Sequence, residues 1–160
     1  MPAPITTALV WTEINKRRFA VLSYVTPRAE ARSAGVVYVV REGRIYIQTD
    51  TASWKARHIR SNPNVALNVT IPKRVPFMPW IRIPEATIAF SGTARVIDAD
   101  AVDSALMQAL GAATAHEGID QSTLCFIEVT PAGHFATYGV GVPLLDMRDP
   151  RKARGRAAVA

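Results

Sequence analysis

Cysteine is nearly absent: Cys125 stands alone among 160 residues, so no disulfide can form within the chain. Long apolar runs are missing as well, and none reaches the roughly 20 residues that a helix needs to cross a bilayer, so no transmembrane segment is expected. The opening MPAPITTALVWTEINKRRF lacks a basic start followed by an apolar stretch, so no secretory leader is expected either. These three absences together point to the cytoplasm. Lysine is scarce, with Lys16, Lys55, Lys73 and Lys152 the only four among 19 basic residues. Acidic residues number 13, which leaves a net charge of +6. That excess is local: beyond Asp146, Arg148, Arg151, Lys152, Arg154 and Arg156 face only Asp149, a net +4. The remaining +2 is too little for a basic stripe across a fold, so no nucleic-acid partner is expected. Residues 146–160 read as a basic C-terminal tail on one domain spanning 1–145, an ordinary size for a single core.

Side chains that do chemistry unaided are also few. His58, His116 and His134 lie far apart, without the Cys or carboxylate spacing of a zinc site, and each reads as a surface or hydrogen-bonded residue. Glu13, Glu30, Glu85 and Glu128 show no pairing suited to acid–base work, and no Ser-His-Asp arrangement emerges. Cys125 lies in an apolar stretch and reads as a small core residue. Tyr138 and Trp80 read as packing aromatics, with stacking on a bound ring the alternative. No G-x-G-x-x-G follows a strand, and no β-α-β alternation is seen, which argues against a dinucleotide-binding parallel sheet. No catalytic residue is assigned and no metal ligand is expected. Such scarcity suits a protein whose cofactor carries the chemistry while the chain supplies position and electrostatics.

What is present is strand. FAVLSYV (19–25), AGVVYVV (34–40), RIYIQTD (44–50), NVALNVTI (64–71), ATIAFSGTARVI (86–97), STLCFIEVTP (122–131) and HFATYGV (134–140) are β-branched, aromatic or alternating. REGR (41–44) reads as a hairpin connection in which Gly43 takes positive φ. Short helices are expected at 11–18 with Thr12 as N-cap, after Ser53 with a stop at Asn62-Pro63, and after Asp98 with a stop at Gly111. The last would turn Val102, Leu106, Ala109 and Leu110 to one side. Prolines at 72, 76, 79 and 84 forbid a central strand or a continuous helix in PKRVPFMPWIRIP. The apolar side chains of that loop pack on a partner or across the barrel mouth, wall a ligand with Phe77, Met78 or Trp80, or meet a membrane surface. The fold class is mainly β, an antiparallel barrel with two or three short helices.

The stretch with most chemistry is QTDTASWKARHIRSNP, 48–63. A strand ends in Gln48 and Thr49, a polar turn follows, and a helix opens at Ser53, Trp54 and Lys55. A helix start offers unpaired N–H groups and positive potential, to which Ser53 adds a hydroxyl and Lys55 a charge. Two readings stand: a phosphate cradle, or a capped surface helix with solvated basic residues.

The run AGVVYVVREGRIYIQTD, then SWKARHIRSNPNVAL, then a strand ending in SGTARVI, resembles the pyridoxamine-phosphate-oxidase-like family of split barrels over roughly residues 19–130. The resemblance implies a homodimer with FMN or the deazaflavin F420 in a groove between subunits, and hydride transfer to a small organic acceptor. A non-catalytic flavin, F420 or haem carrier is the alternative it leaves open. By position it implies that Ser53 and Lys55, with Trp54 between them, hold the cofactor phosphate. Gln48 and Thr49 would lie beside the cofactor, and Gly35, Val36, Val37 and Tyr38 would line the ring. Trp54 departs from the family, since the vitamin-processing oxidases carry a basic residue there. The Arg/His motif of those enzymes is missing from GVPLLDMRDPRKARGRAAVA, so pyridoxine phosphate is not the implied substrate.

Overall fold

A computed structural model describes residues 4–114 and 120–160. His116 lies outside the described residues. Eight strands form one antiparallel sheet: β1 (Phe19–Val25), β2 (Ala31–Val37), β3 (Val39–Arg41), β4 (Arg44–Asp50), β5 (Asn64–Ile71), β6 (Ala86–Asp98), β7 (Leu124–Tyr138) and β8 (Arg154–Ala158). The path runs β2-β1-β5-β6-β7-β4-β3, with β8 added to the far half of β7. Its two end strands, β2 and β3, are neighbours in the chain and are separated by Tyr38 alone. The first pairs with β1 and the second with β4. A sheet whose opposite edges meet at one residue has to curl, which produces the expected split barrel. The stretch 34–40 therefore holds two strands where the sequence suggests one.

The concave side is the core. Alternate residues turn inward, such as Ala20 and Leu22 on β1, Ile45 and Ile47 on β4, and Val65, Leu67, Val69 and Ile71 on β5. Helix α1 (Thr7–Asn15) packs Val10 and Ile14 against this core. Thr6 caps it by accepting from the Leu9 N–H, so the helix starts five residues before the expected Thr12 N-cap. Thr12 instead sits inside the helix and donates its hydroxyl to the Ala8 carbonyl. Helix α2 (Trp54–Ser61) carries the expected Ser53 cap and ends at Asn62, with Ala56 and Ile59 buried. Helix α3 (Ser104–Ala113) lies on the opposite side of the sheet, over a second cluster of Tyr46, Leu106, Leu110, Leu124 and Phe126. It differs from expectation at both ends. Asp98 leads only into a 3-10 turn, Ala99–Ala101, while Asp103 accepts from the Leu106 N–H and caps the helix. Gly111 lies within the helix, and Ala109 faces solvent.

Two further differences concern the C-terminal third. Segments 122–131 and 134–140 form a single strand, β7, in which Pro131 pairs with Gly92 and Gly133 is accommodated where the register against β6 slips, between Ala132 and Ala136. The basic stretch 146–160 folds as a 3-10 turn (Asp146–Arg148), a helical turn α4 (Pro150–Ala153) and strand β8. The proline-rich segment 72–84 forms no strand or α-helix, as expected. Phe77 and Trp80 are 98% and 74% exposed, so these rings do not close the barrel. No helix among the described residues is long and apolar enough to cross a membrane.

Candidate functional site

Strand β4 delivers Gln48, Thr49 and Asp50 to the start of α2. The pleat turns Thr49 inward, where it is buried, and leaves Gln48 half-buried on the other side. The Thr49 Oγ1 and Ser53 Oγ lie 3.0 Å apart, and the Ser53 Oγ accepts from the Ala56 N–H at 3.3 Å. One hydroxyl thus ties the strand end to the helix cap. The first amides of α2, those of Trp54 and Lys55, have no partner within the helix and point out of its start. Lys55 is half-buried beside them. One carboxylate shares the turn. Asp50 accepts from the Thr123 hydroxyl at 2.6 Å and from the Ala52 N–H at 2.6 Å. The Thr123 hydrogen bond, then the Ala52 N–H, hold its carboxyl below the usual range, and the Lys55 charge adds to this. Two amides, a hydroxyl and an ammonium make a donor set suited to a phosphate, with the nearby carboxylate engaged by its own donors.

Of the residues expected along the ring, Val36 and Tyr38 turn inward and Gly35 and Val37 turn outward. The Tyr38 ring is 1% exposed, and its hydroxyl donates to the Ile14 carbonyl at 2.7 Å. Burial pushes the phenol pKa up against the lowering effect of Arg17, so it stays neutral. A ligand on the outer side of β2 meets Gly35 and Val37, not the side chains of Val36 or Tyr38. The Gly35 position is tight, since a Cβ there would lie 2.9 Å from the Phe19 ring. Gly35, Val36 and Val37 belong to β2 and Tyr38 follows it, at the far end of the sheet path from β4.

Trp54 is 68% exposed. It stacks on His58 with centroids 5.7 Å apart, and His58 stacks on Tyr24 at 5.8 Å. The Arg57 guanidinium lies 5.4 Å from the Trp54 ring centre. The spacing of Trp54 and His58, four apart on a helix, is visible in the sequence. Their meeting with Tyr24 on β1 depends on the curl of the sheet.

A polar cluster that the sequence does not announce lies on the outer side. Tyr46, Glu128 and Arg95 are cross-strand neighbours on β4, β7 and β6. Glu128 is 6% exposed, with Arg95 Nε at 2.6 Å, the Tyr46 hydroxyl at 3.0 Å and Arg44 Nη1 at 3.8 Å. Burial pushes the Glu128 carboxyl up, but the Arg95 and Tyr46 hydrogen bonds and the two arginine charges outweigh it and hold it below its usual range. Cys125 is fully buried, and burial raises its thiol pKa, which suits a core residue. No group of three or more metal-ligating side chains exists among the described residues.

A family model for pyridoxamine 5'-phosphate oxidase matches residues 7–138. No curated protein matches the sequence. Among solved structures, a haem-binding protein from Mycobacterium smegmatis is similar with a TM-score of 0.74 at 14% identity, over 99% of this chain and 60% of that one. An F420 reductase is similar with a TM-score of 0.57 at 18% identity, over 77% and 93%. An FAD-binding protein from Mesorhizobium loti gives a TM-score of 0.62 at 13% identity, over 78% and 88%. At these identities the likeness concerns the fold.

Proposed function

Because the chain belongs to the pyridoxamine 5'-phosphate oxidase family, we propose that it binds FMN or F420 and moves a hydride between that cofactor and a small organic acceptor. The observation that carries this is the turn from β4 into α2, where Thr49, Ser53 and Lys55 surround a helix start with donors suited to a phosphate. When bound, the cofactor supplies the hydride chemistry. The chain's own residues position it. Lys55 and the amides of Trp54 and Lys55 hold the phosphate, Ser53 keeps the turn closed, and Gln48 lies beside the ring. On the outer side of β2 the Phe19 ring covers Gly35, so Val37 and that ring would face the cofactor ring.

The groove is completed by a second copy of the chain. Phe19, Phe77 and Trp80 are exposed large aromatics that one subunit leaves uncovered, in keeping with a homodimer. Light scattering at micromolar concentration should give twice the mass of the chain. A stable monomer that still binds cofactor would contradict this.

A second reading, a carrier that holds a flavin, F420 or haem without turning it over, is favoured by the lack, among the described residues, of a free acid or base beside Ser53 and Lys55. The carboxylate that the described residues place at that turn, Asp50, is occupied by Thr123 and Ala52. Titration with FMN, F420 and haem, followed by reduction of the bound cofactor and addition of acceptors, separates the two. Reoxidation accelerated by an acceptor supports the enzyme. A bound cofactor indifferent to every acceptor supports the carrier.

A further inference from the structure

A cleft of about 680 Å³ opens between the β1–β2 hairpin and α2. Tyr24, Arg28, Glu30, Arg32, Trp54 and His58 are among its lining residues, whereas Ser53 and Lys55 are not. Trp54, whose amide opens the phosphate cradle, also lines this cleft, so the two adjoin along α2. Its hairpin wall is stiff. The Thr26 N–H donates to the Glu30 carbonyl at 2.9 Å, the Ala29 N–H to the Thr26 carbonyl at 2.9 Å, and the Glu30 N–H to the Thr26 hydroxyl at 3.2 Å. Pro27 fixes one φ, and Ala29 sits at φ 61, so the turn presents Arg28 from a closed loop. Its helix wall is an aromatic ladder, with Tyr24, His58 and Trp54 stacked at interplanar angles of 20° and 17°.

The charges of the cleft are unequal in their freedom. Arg32 Nη2 is bound to Glu30 Oε2 at 2.9 Å, which occupies the one carboxylate of the lining. Arg28 and Arg57 take part in none of the ion pairs among the described residues. Arg57 lies over the Trp54 ring, so that ring carries a cation beside it while most of its surface stays open. An exposed indole, backed by His58, with the Arg57 cation at its ring and Arg28 in the same cleft, suits a flat ring that bears a negative charge. An aliphatic anion would leave the indole unused, and a neutral ring would leave Arg28 unused.

We propose that this cleft binds a planar aromatic carboxylate, with the ring against Trp54 and the carboxylate on Arg28. That this ligand is the hydride acceptor rests on the function proposed above; that the cleft binds it does not.

The test is calorimetric titration of the full chain, free of cofactor, with naphthoate, naphthylmethanol and cyclohexanecarboxylate. Naphthoate binds saturably, and each of the other two binds at least about tenfold more weakly, the scale of one charge-assisted contact or one stacking surface. Arg28→Ala weakens naphthoate about tenfold and leaves both the melting temperature and the FMN and F420 affinities unchanged. Trp54→Ala weakens naphthoate by about fivefold or more. Saturating FMN or F420 leaves naphthoate binding in place. Absence of saturable naphthoate binding overturns the proposal, as does equal binding by Arg28→Ala, or displacement of naphthoate by either cofactor. Naphthoate binding retained in a protein that takes up neither FMN nor F420 refutes the cofactor reading and leaves the cleft assignment standing.

Discussion

Removing the Tyr38 hydroxyl tests the architecture at the point where the sheet closes. Tyr38 separates β2 from β3, its backbone N–H donates to the Arg18 carbonyl at 2.8 Å, and its hydroxyl donates to the Ile14 carbonyl at 2.7 Å. The Ile14 carbonyl also accepts from the Arg17 N–H at 3.1 Å, so Tyr38→Phe does not orphan it. The loss is then that of one ordinary hydrogen bond, about 1 kcal/mol. In a domain of this size that lowers the melting temperature by roughly 2–4 °C. Tyr38→Ala also empties a site that is 1% exposed, at a cost of roughly 3–5 kcal/mol, or about 6–20 °C. Neither change removes a ligand contact, because the ring points into the core. The assay is thermal unfolding by circular dichroism, repeated with saturating FMN or F420, alongside a binding titration of the Phe variant. If Tyr38→Phe leaves the melting temperature unmoved and weakens the cofactor, the side chain faces the ring and this placement is refuted.

Three other outcomes follow from contacts within the fold. Ser53→Ala removes the α2 cap and the link to Thr49, and should cost about 1 kcal/mol in urea unfolding; Ser53→Asp, which still caps, should recover most of it. Glu128 has a folded pKa below its unfolded value, so its stabilisation is complete above the ordinary glutamate range and is lost as pH falls through that range toward the folded value. Urea midpoints measured from neutral to acid pH should therefore fall less steeply in Glu128→Gln, and an unchanged slope would contradict the Arg95–Tyr46 assignment. A Cβ at Gly92 would lie 2.4 Å from the Thr130 carbonyl oxygen of β7, so Gly92→Ala should lower stability by about 1–3 kcal/mol, and a neutral result would mean the β6–β7 approach is looser than described.

The parts of the fold legible in the sequence are those governed by local rules. Strand β4 alternates, Ser53 is a good N-cap, and Asn62-Pro63 cannot continue a helix, so β4, α2 and β5 fall where the sequence places them. The misplaced elements are decided at a distance. AGVVYVV looks like one strand because nothing local marks Tyr38, and it is divided only because its two halves pair with different partners. Asp98 and Asp103 are equally good caps, and the helix takes the second, which sets Leu106 and Leu110 over Phe126. Strand β8 is rich in Ala and Arg, poor strand formers on their own, and exists because β7 offers an edge from His134 to Tyr138. The same division holds for the site. Ser53, Lys55 and Thr49 are adjacent in sequence and come together. The Tyr24–His58–Trp54 stack and the Tyr46–Glu128–Arg95 row need the curl and the register, which no short motif encodes.

The most direct test of the central claim compares equilibrium binding of FMN and F420 to the intact protein and to Lys55→Ala, read by cofactor fluorescence. Lys55 is half-buried at the start of α2 and belongs to no ion pair among the described residues, so its removal should spare the fold. The account predicts saturable binding of at least one of the two cofactors. It also predicts a loss of about tenfold or more in the variant, the worth of a charge-assisted phosphate contact of roughly 1.5–3 kcal/mol, at an unchanged melting temperature. Failure of the intact protein to bind either cofactor, or an identical dissociation constant in the variant, would contradict it.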